Sequence, residues 1–88
     1  MAVYLLHFEK PVYGTSRHYI GFTDNLERRI KEHRYGRAAR LTSLARKREI
    51  SWEVARVWEE GDKVFERQLK KKGQFSKLCP ICTPTVSE

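Results

Sequence analysis

The sequence predicts one small mixed α/β domain, and three observations carry that prediction. The chain has 88 residues, 40% of them apolar and 11% aromatic, which suffices for one modest core and not for two. Its apolar residues follow a two-residue period in some stretches and a helical period in others. Gly, Pro, Ser and Asp cluster between those stretches, where turns and helix caps need them. No run of about 18 apolar residues occurs, so nothing reads as a membrane span. The opening MAVYLLHFEKP lacks a basic leader and soon meets Glu9 and Lys10. It reads as a first strand rather than a signal peptide, and the expected location is the cytoplasm.

Ala2–Phe8 alternates, with Ala2, Tyr4, Leu6 and Phe8 on one face and Val3, Leu5 and His7 on the other. Both faces are partly apolar, so this strand expects cover on both sides. Lys10–Arg17 contains Pro11, Gly14, Thr15 and Ser16 and predicts a hairpin loop. His18–Phe22 is then the returning strand, which makes Tyr4 and Tyr19 neighbours. Asp24, with Glu27 three residues later, predicts an N-cap and capping box for a helix that runs to about Tyr35 and stops at Gly36. Its apolar line is Leu26, Ile30 and His33. At the helical period Arg29 lies about 40° from His33, while Arg28 points almost the opposite way. The two adjacent arginines are thus separated, Arg29 toward the strands and Arg28 toward solvent. An arginine at a buried edge wants an anionic partner.

Arg37–Glu49 predicts a short irregular helix or an ordered loop. Ile50–Trp58 predicts a third strand, with Trp52, Val54 and Trp58 on one face and Ala55 and Val57 on the other. Glu59, Glu60 and Gly61 turn the chain. Asp62 caps a further helix that runs to about Lys72 and ends at Gly73, with Phe65 and Leu69 as its core line and Glu66 at the edge of that line. Gln74–Leu78 adds one more turn. The expected domain spans residues 1–78, followed by a tail over 79–88.

The net charge of +7 is clustered. Between Arg28 and Arg48 stand nine basic residues and one acid, Glu32; between Lys63 and Lys77 stand six basic residues and one acid, Glu66. Two basic blocks on so small a surface would attract a polyanion, most simply nucleic acid. Arg28, Arg34, Arg37, Arg40 and Lys70 are the candidate DNA contacts; the alternative is a basic surface that serves only solubility. Cys79 and Cys82 form a Cys-Pro-Ile-Cys sequence, half of a zinc site. No second cysteine pair exists, and His7, His18 and His33 lie far off in sequence. Reduced thiols that pack the tail are the favoured reading.

Tyr4, Tyr19, Arg29, His33 and Glu66 suit phosphodiester hydrolysis if they converge. A carboxylate can hold a divalent metal, an arginine can stabilise charge on a pentavalent phosphorus, and a tyrosine or histidine can take a proton from water. Singly, each has an ordinary explanation: core aromatics, a satisfied core histidine, an ion pair between Glu66 and Lys70, and an ion pair from Arg29 to Glu32 or Glu9.

The residues that carry a resemblance are Tyr19-Ile20-Gly21, Ala2-Val3-Tyr4, Arg29 ten positions after Tyr19, His33 four further on, and Glu66 in VFERQLKKK. Together they resemble the GIY-YIG nuclease superfamily, in its small single-domain form, from Val3 to about Lys72. Ala2 stands where the first signature has glycine, the spacing from Tyr4 to Tyr19 is longer than in the shortest members, and the chain has no asparagine besides Asn25. The resemblance implies an α+β fold with a small three-stranded antiparallel sheet flanked by helices. It also implies a DNA endonuclease that uses one divalent ion, Mg²⁺ or Mn²⁺, held by Glu66. Tyr4 would be the general base, as a phenolate or through a hydrogen-bonded neighbour. His33 would orient Tyr4 or share that role, Arg29 would contact the phosphate, and Tyr19 would position the water or Arg29. The substrate would be DNA, with branched or structured DNA among the candidates, and a double-strand cut would require a homodimer or two visits. A non-catalytic nucleic-acid-binding module with the same fold is the alternative.

Overall fold

The computed structural model describes residues 1–14, 17–73 and 75–82. In chain order the elements are β1 (Ala2–Phe8), β2 (His18–Thr23), α1 (Leu26–Arg34), α2 (Arg40–Lys47), β3 (Trp52–Trp58), α3 (Lys63–Lys72) and α4 (Phe75–Leu78). The strands form one antiparallel sheet in the order β2-β1-β3. β1 is therefore the central strand, which explains why both of its faces are apolar. Tyr4, Leu6 and Phe8 pack with Val12, Ala45 and Ile50 under α1 and α2. Val3 and Leu5 pack with Ile20, Leu69 and Cys79 on the other side, against Phe65, Phe75 and Leu78. Leu5 and Leu6 are both fully buried, on opposite faces, and truncating either to alanine would cost ~2–5 kcal/mol.

The alternation of β1 holds as expected, and the returning strand β2 forms one residue longer, to Thr23; of the predicted hairpin loop, Thr15 and Ser16 lie outside the described residues. The face assignment of β3 does not hold. A register shift between Leu5 and Leu6 pairs Leu6 with Val54 but Leu5 with Arg56. Ala55 is the extra residue, and a bulge of this kind breaks the two-residue period. Trp52, Val54 and Val57 consequently join the Tyr4 face, while Ala55 and Trp58 join the other.

The start of α1 also differs from expectation. Asn25, not Asp24, is the N-cap, and its side chain accepts from the Arg28 N–H at 3.0 Å. Thr23 Oγ1 accepts from the Asn25 N–H at 3.0 Å and donates to the Asn25 carbonyl at 3.1 Å. This local turn moves the helix start one residue along. α3 follows the sequence closely: Asp62 accepts from the Phe65 N–H, and Gly73 ends the helix with φ +64, the left-handed conformation that glycine adopts without strain. The basic segment 37–49 forms the regular helix α2 over Arg40–Lys47.

Candidate active site

Tyr4 lies mid-strand in β1, opposite Gly21 of β2. Its phenol crosses directly over that glycine. A Cβ at position 21 would overlap the Tyr4 phenol and press on the Tyr19 ring. The glycine is thus required by close approach rather than by its backbone angles.

The Tyr4 hydroxyl lies 2.6 Å from Nε2 of His33, which α1 aims at the sheet. His33 Nδ1 lies 2.9 Å from Thr42 Oγ1 on α2, and Thr42 Oγ1 donates to the Ala39 carbonyl at 3.1 Å. A carbonyl only accepts, so the Thr42 proton is committed there. The Thr42 oxygen therefore accepts from Nδ1–H, Nε2 keeps its lone pair, and Tyr4 O–H donates to it. The hydrogen-bond chain thereby assigns the histidine tautomer.

Both members of this pair are 1% exposed. Burial, foremost, raises the Tyr4 pKa, with Tyr19, Glu66 and Glu32 adding to the rise and Arg29 opposing it. Burial, then the Arg29 cation, push His33 down to about 4, with Glu32 opposing. At neutral pH the pair is a neutral phenol donating to a neutral imidazole. A resting phenolate at Tyr4 is strongly disfavoured. The Tyr19 ring stands 6.2 Å from Tyr4 and 5.3 Å from His33, centre to centre, and Trp52 closes another side of His33 at 6.1 Å.

The adjacent arginines behave as helix geometry predicts. Arg28 is more than half exposed and pairs with Asp24 at 3.1 Å and Glu32 at 3.9 Å. Arg29 is one-third exposed, and its Nε comes within 3.5 Å of Glu32 Oε1. That contact is coulombic only: among the described residues, Arg29 Nε is the one buried side-chain polar atom without a hydrogen-bond partner. A buried unpaired donor costs about 1–3 kcal/mol, which an acceptor would relieve only if the cover over this nitrogen opened. Glu66, on α3, is one-fifth exposed and meets Lys70 Nζ at 3.4 Å through Oε2. Lys70 in turn stands 5.8 Å from the Tyr19 ring, although the core residues of α3, Phe65 and Leu69, pack on the other face of the sheet. Tyr4, Tyr19 and His33 are in direct contact, and the charges of Arg29 and Glu66 both act on Tyr4.

The family model of the GIY-YIG catalytic domain matches residues 1–78. The chain belongs to the GIY-YIG family. No curated protein and no solved structure matches it. Its family is a nuclease family that acts on nucleic acid, and no helix among the described residues is long and apolar enough to cross a membrane. Tyr19-Ile20-Gly21 on β2 has the sequence of the second half of the family's name, and Ala2-Val3-Tyr4 lies beside it on β1.

GIY-YIG nucleases depend on a metal ion. Glu66 suits a hard divalent cation: it offers carboxylate oxygen, Lys70 engages only Oε2, and Oε1 has no partner among the described residues. The candidate DNA contacts Arg28, Arg34, Arg37, Arg40 and Lys70 are all exposed. Arg34 lies over the Trp52 ring at 4.3 Å, and Arg40 borders a cavity of about 330 Å³ with Tyr13, Leu41 and Leu44.

Sequence reasoning did not find Thr42, because no periodicity links a side chain of α2 to one of α1. It also left Cys79 and Cys82 without a second pair of ligands. The structure corrects this: His7 and His18 face each other across β1 and β2 and meet both thiols. The strand alternation already put His7 on the face away from Tyr4, and the hairpin register is what pairs it with His18.

Proposed function

We propose that this chain is an endonuclease that hydrolyses DNA phosphodiester bonds with the help of one divalent ion. The observation that supports this best is the hydrogen-bonded chain Tyr4–His33–Thr42 beside an arginine donor that lacks a partner. In this reading Arg29 binds the scissile phosphate, which supplies the missing acceptor. The attacking water gives its proton to the Tyr4 oxygen as the Tyr4 proton passes to His33 Nε2. Thr42 holds the Nδ1–H of the imidazolium that forms. Burial and, after it, the Arg29 charge hold His33 down in the free protein; a bound phosphate would offset the Arg29 part and raise the proton affinity of Nε2 when substrate is present. General base catalysis of this kind contributes typically ~10²–10⁴-fold.

Glu66 would hold the cation, Mg²⁺ or Mn²⁺, which would supply charge stabilisation at the phosphate and the leaving 3′ oxygen. Tyr4 is almost wholly covered, so its neighbour Tyr19 must yield when the phosphate arrives. Tyr19 then fixes the position of the water or of Arg29. Arg28, Arg34, Arg37, Arg40 and Lys70 hold the flanking backbone, with an affinity that falls as salt rises.

The test is cleavage of plasmid and branched DNA with Mg²⁺ or Mn²⁺, beside Glu66→Ala. The reading expects metal-dependent cutting by the wild type and a loss of at least tenfold in the variant. DNA binding without cleavage by either protein would overturn it in favour of a binding module.

A further inference from the structure

On the sheet face opposite Tyr4, four side chains capable of binding a metal converge. His7 and His18 are cross-strand partners at the loop end of the β1–β2 hairpin. Cys79 follows α4 directly and is fully buried in the second core cluster. Cys82 lies three residues on, across a turn through Pro80 and Ile81. The ligand atoms of all four lie within 4.8 Å of one another. Neither cysteine is in a disulfide.

Four of the six edges between these atoms match a tetrahedron, and the other two are under 4.8 Å. A zinc ion with Zn–N near 2.05 Å and Zn–S near 2.3 Å sets nitrogen–nitrogen edges of about 3.3 Å and sulfur–nitrogen edges of about 3.6 Å. His7 Nδ1 and His18 Nε2 are 3.4 Å apart. The sulfur–nitrogen distances are 3.5 Å for Cys79 to His7, 3.5 Å for Cys82 to His7 and 3.3 Å for Cys82 to His18. Hydrogen bonding among the four does not account for this arrangement. A ring nitrogen has a single direction, as donor or as acceptor, yet His7 Nδ1 faces three partners at similar distances. A cation at the centre satisfies every one of those atoms with one lone pair each.

From this geometry we infer that His7, His18, Cys79 and Cys82 form a closed tetrahedral zinc site. Two imidazoles and two thiolates favour Zn²⁺ over the hard ions that Glu66 suits. Four protein ligands leave no position for water or substrate, so the site is structural rather than catalytic. Its position gives it a task. It ties the segment after α4 to the loop end of the β1–β2 hairpin, and so holds Phe75 and Leu78 on the second core cluster. The site lies on the other face of the sheet from the Tyr4–His33 pair, and the inference stands whether or not the chain cuts DNA.

The full chain, purified without added chelator and dialysed against metal-free buffer, is assayed for metal by plasma mass spectrometry. The expected result is one zinc per chain, and near zero for Cys82→Ser and His18→Ala under the same treatment. Cys82 and His18 lie outside the fully buried core, so these variants keep the test valid if Cys79→Ser fails to fold. As a second readout, Co²⁺ added to the metal-free chain should give the visible and thiolate charge-transfer bands of tetrahedral cobalt, absent in Cys82→Ser. Glu66→Ala should keep its zinc in full. A wild type that retains no zinc and shows no cobalt bands, or Cys82→Ser and His18→Ala variants that hold as much as the wild type, would overturn the assignment.

Discussion

Acid should destabilise this fold through His33 in a way that one substitution can isolate. The imidazole is held neutral by burial and by the Arg29 cation, with a folded pKa of about 4 against about 6.5 in an unfolded chain. Between those values the unfolded chain binds a proton at His33 and the folded chain does not. Stability from this residue is therefore complete above pH ~6.5 and is lost progressively as pH falls toward 4. A gap of about 2.5 units corresponds to at most roughly 3 kcal/mol, and salt screening of the partly exposed Arg29 lowers this toward ~2. Set against a typical total of about 5–15 kcal/mol, that is a large fraction. The assay is urea unfolding at half-unit steps from pH 7.5 to 4.5, for wild type and His33→Gln. Other groups that titrate in acid are common to both proteins and cancel in the difference. The wild type should lose about 1 kcal/mol more per pH unit than the variant between pH 6 and 5. Parallel pH profiles for the two proteins would refute the reasoning, as would a nitrogen-15 spectrum that shows the His33 proton on Nε2 at pH 7.

Two further outcomes follow from the same contacts. Thr42→Val keeps the shape of the side chain but removes the acceptor for His33 Nδ1–H; stability should fall by ~1–3 kcal/mol, and single-turnover cleavage by roughly tenfold or more with DNA binding unchanged, checked by rapid quench beside a binding titration. Gly21→Ala forces a methyl group into the Tyr4 phenol; it should cost ~1–3 kcal/mol and lower the melting temperature by on the order of 10 °C, read by calorimetry.

The sequence makes some of these features legible and hides others for definite physical reasons. α3 is readable from Asp62 to Gly73 because its cap, its core line and its stop are all local signals. The split between Arg28 and Arg29 needs only the helical period. Trp58 escapes because a bulge adds one residue, and alternation cannot anticipate a shift that the partner strand imposes. Asp24 and Asn25 are both good N-caps, and the choice falls to Thr23, whose hydroxyl closes a turn around Asn25. Among the candidate site residues, the nearness of Tyr4 and Tyr19 follows from one hairpin, and the direction of His33 from one helix. Thr42 and the four-ligand cluster depend on contacts between elements distant in sequence, 72 positions apart for His7 and Cys79, which no local pattern records.

The central claim is that Arg29, left with an unpaired buried donor, meets the reacting phosphate, while Arg28, paired at the surface, does not. The most direct measurement is the single-turnover cleavage rate of Arg29→Ala and Arg28→Ala at saturating protein, on the same DNA with the same divalent ion. The account predicts a rate for Arg29→Ala at least ~10²-fold below wild type, as for loss of a transition-state donor, and a rate for Arg28→Ala within about threefold of wild type, with only a modest loss of affinity. Equal rates for the two variants, or a collapse confined to Arg28→Ala, would contradict it.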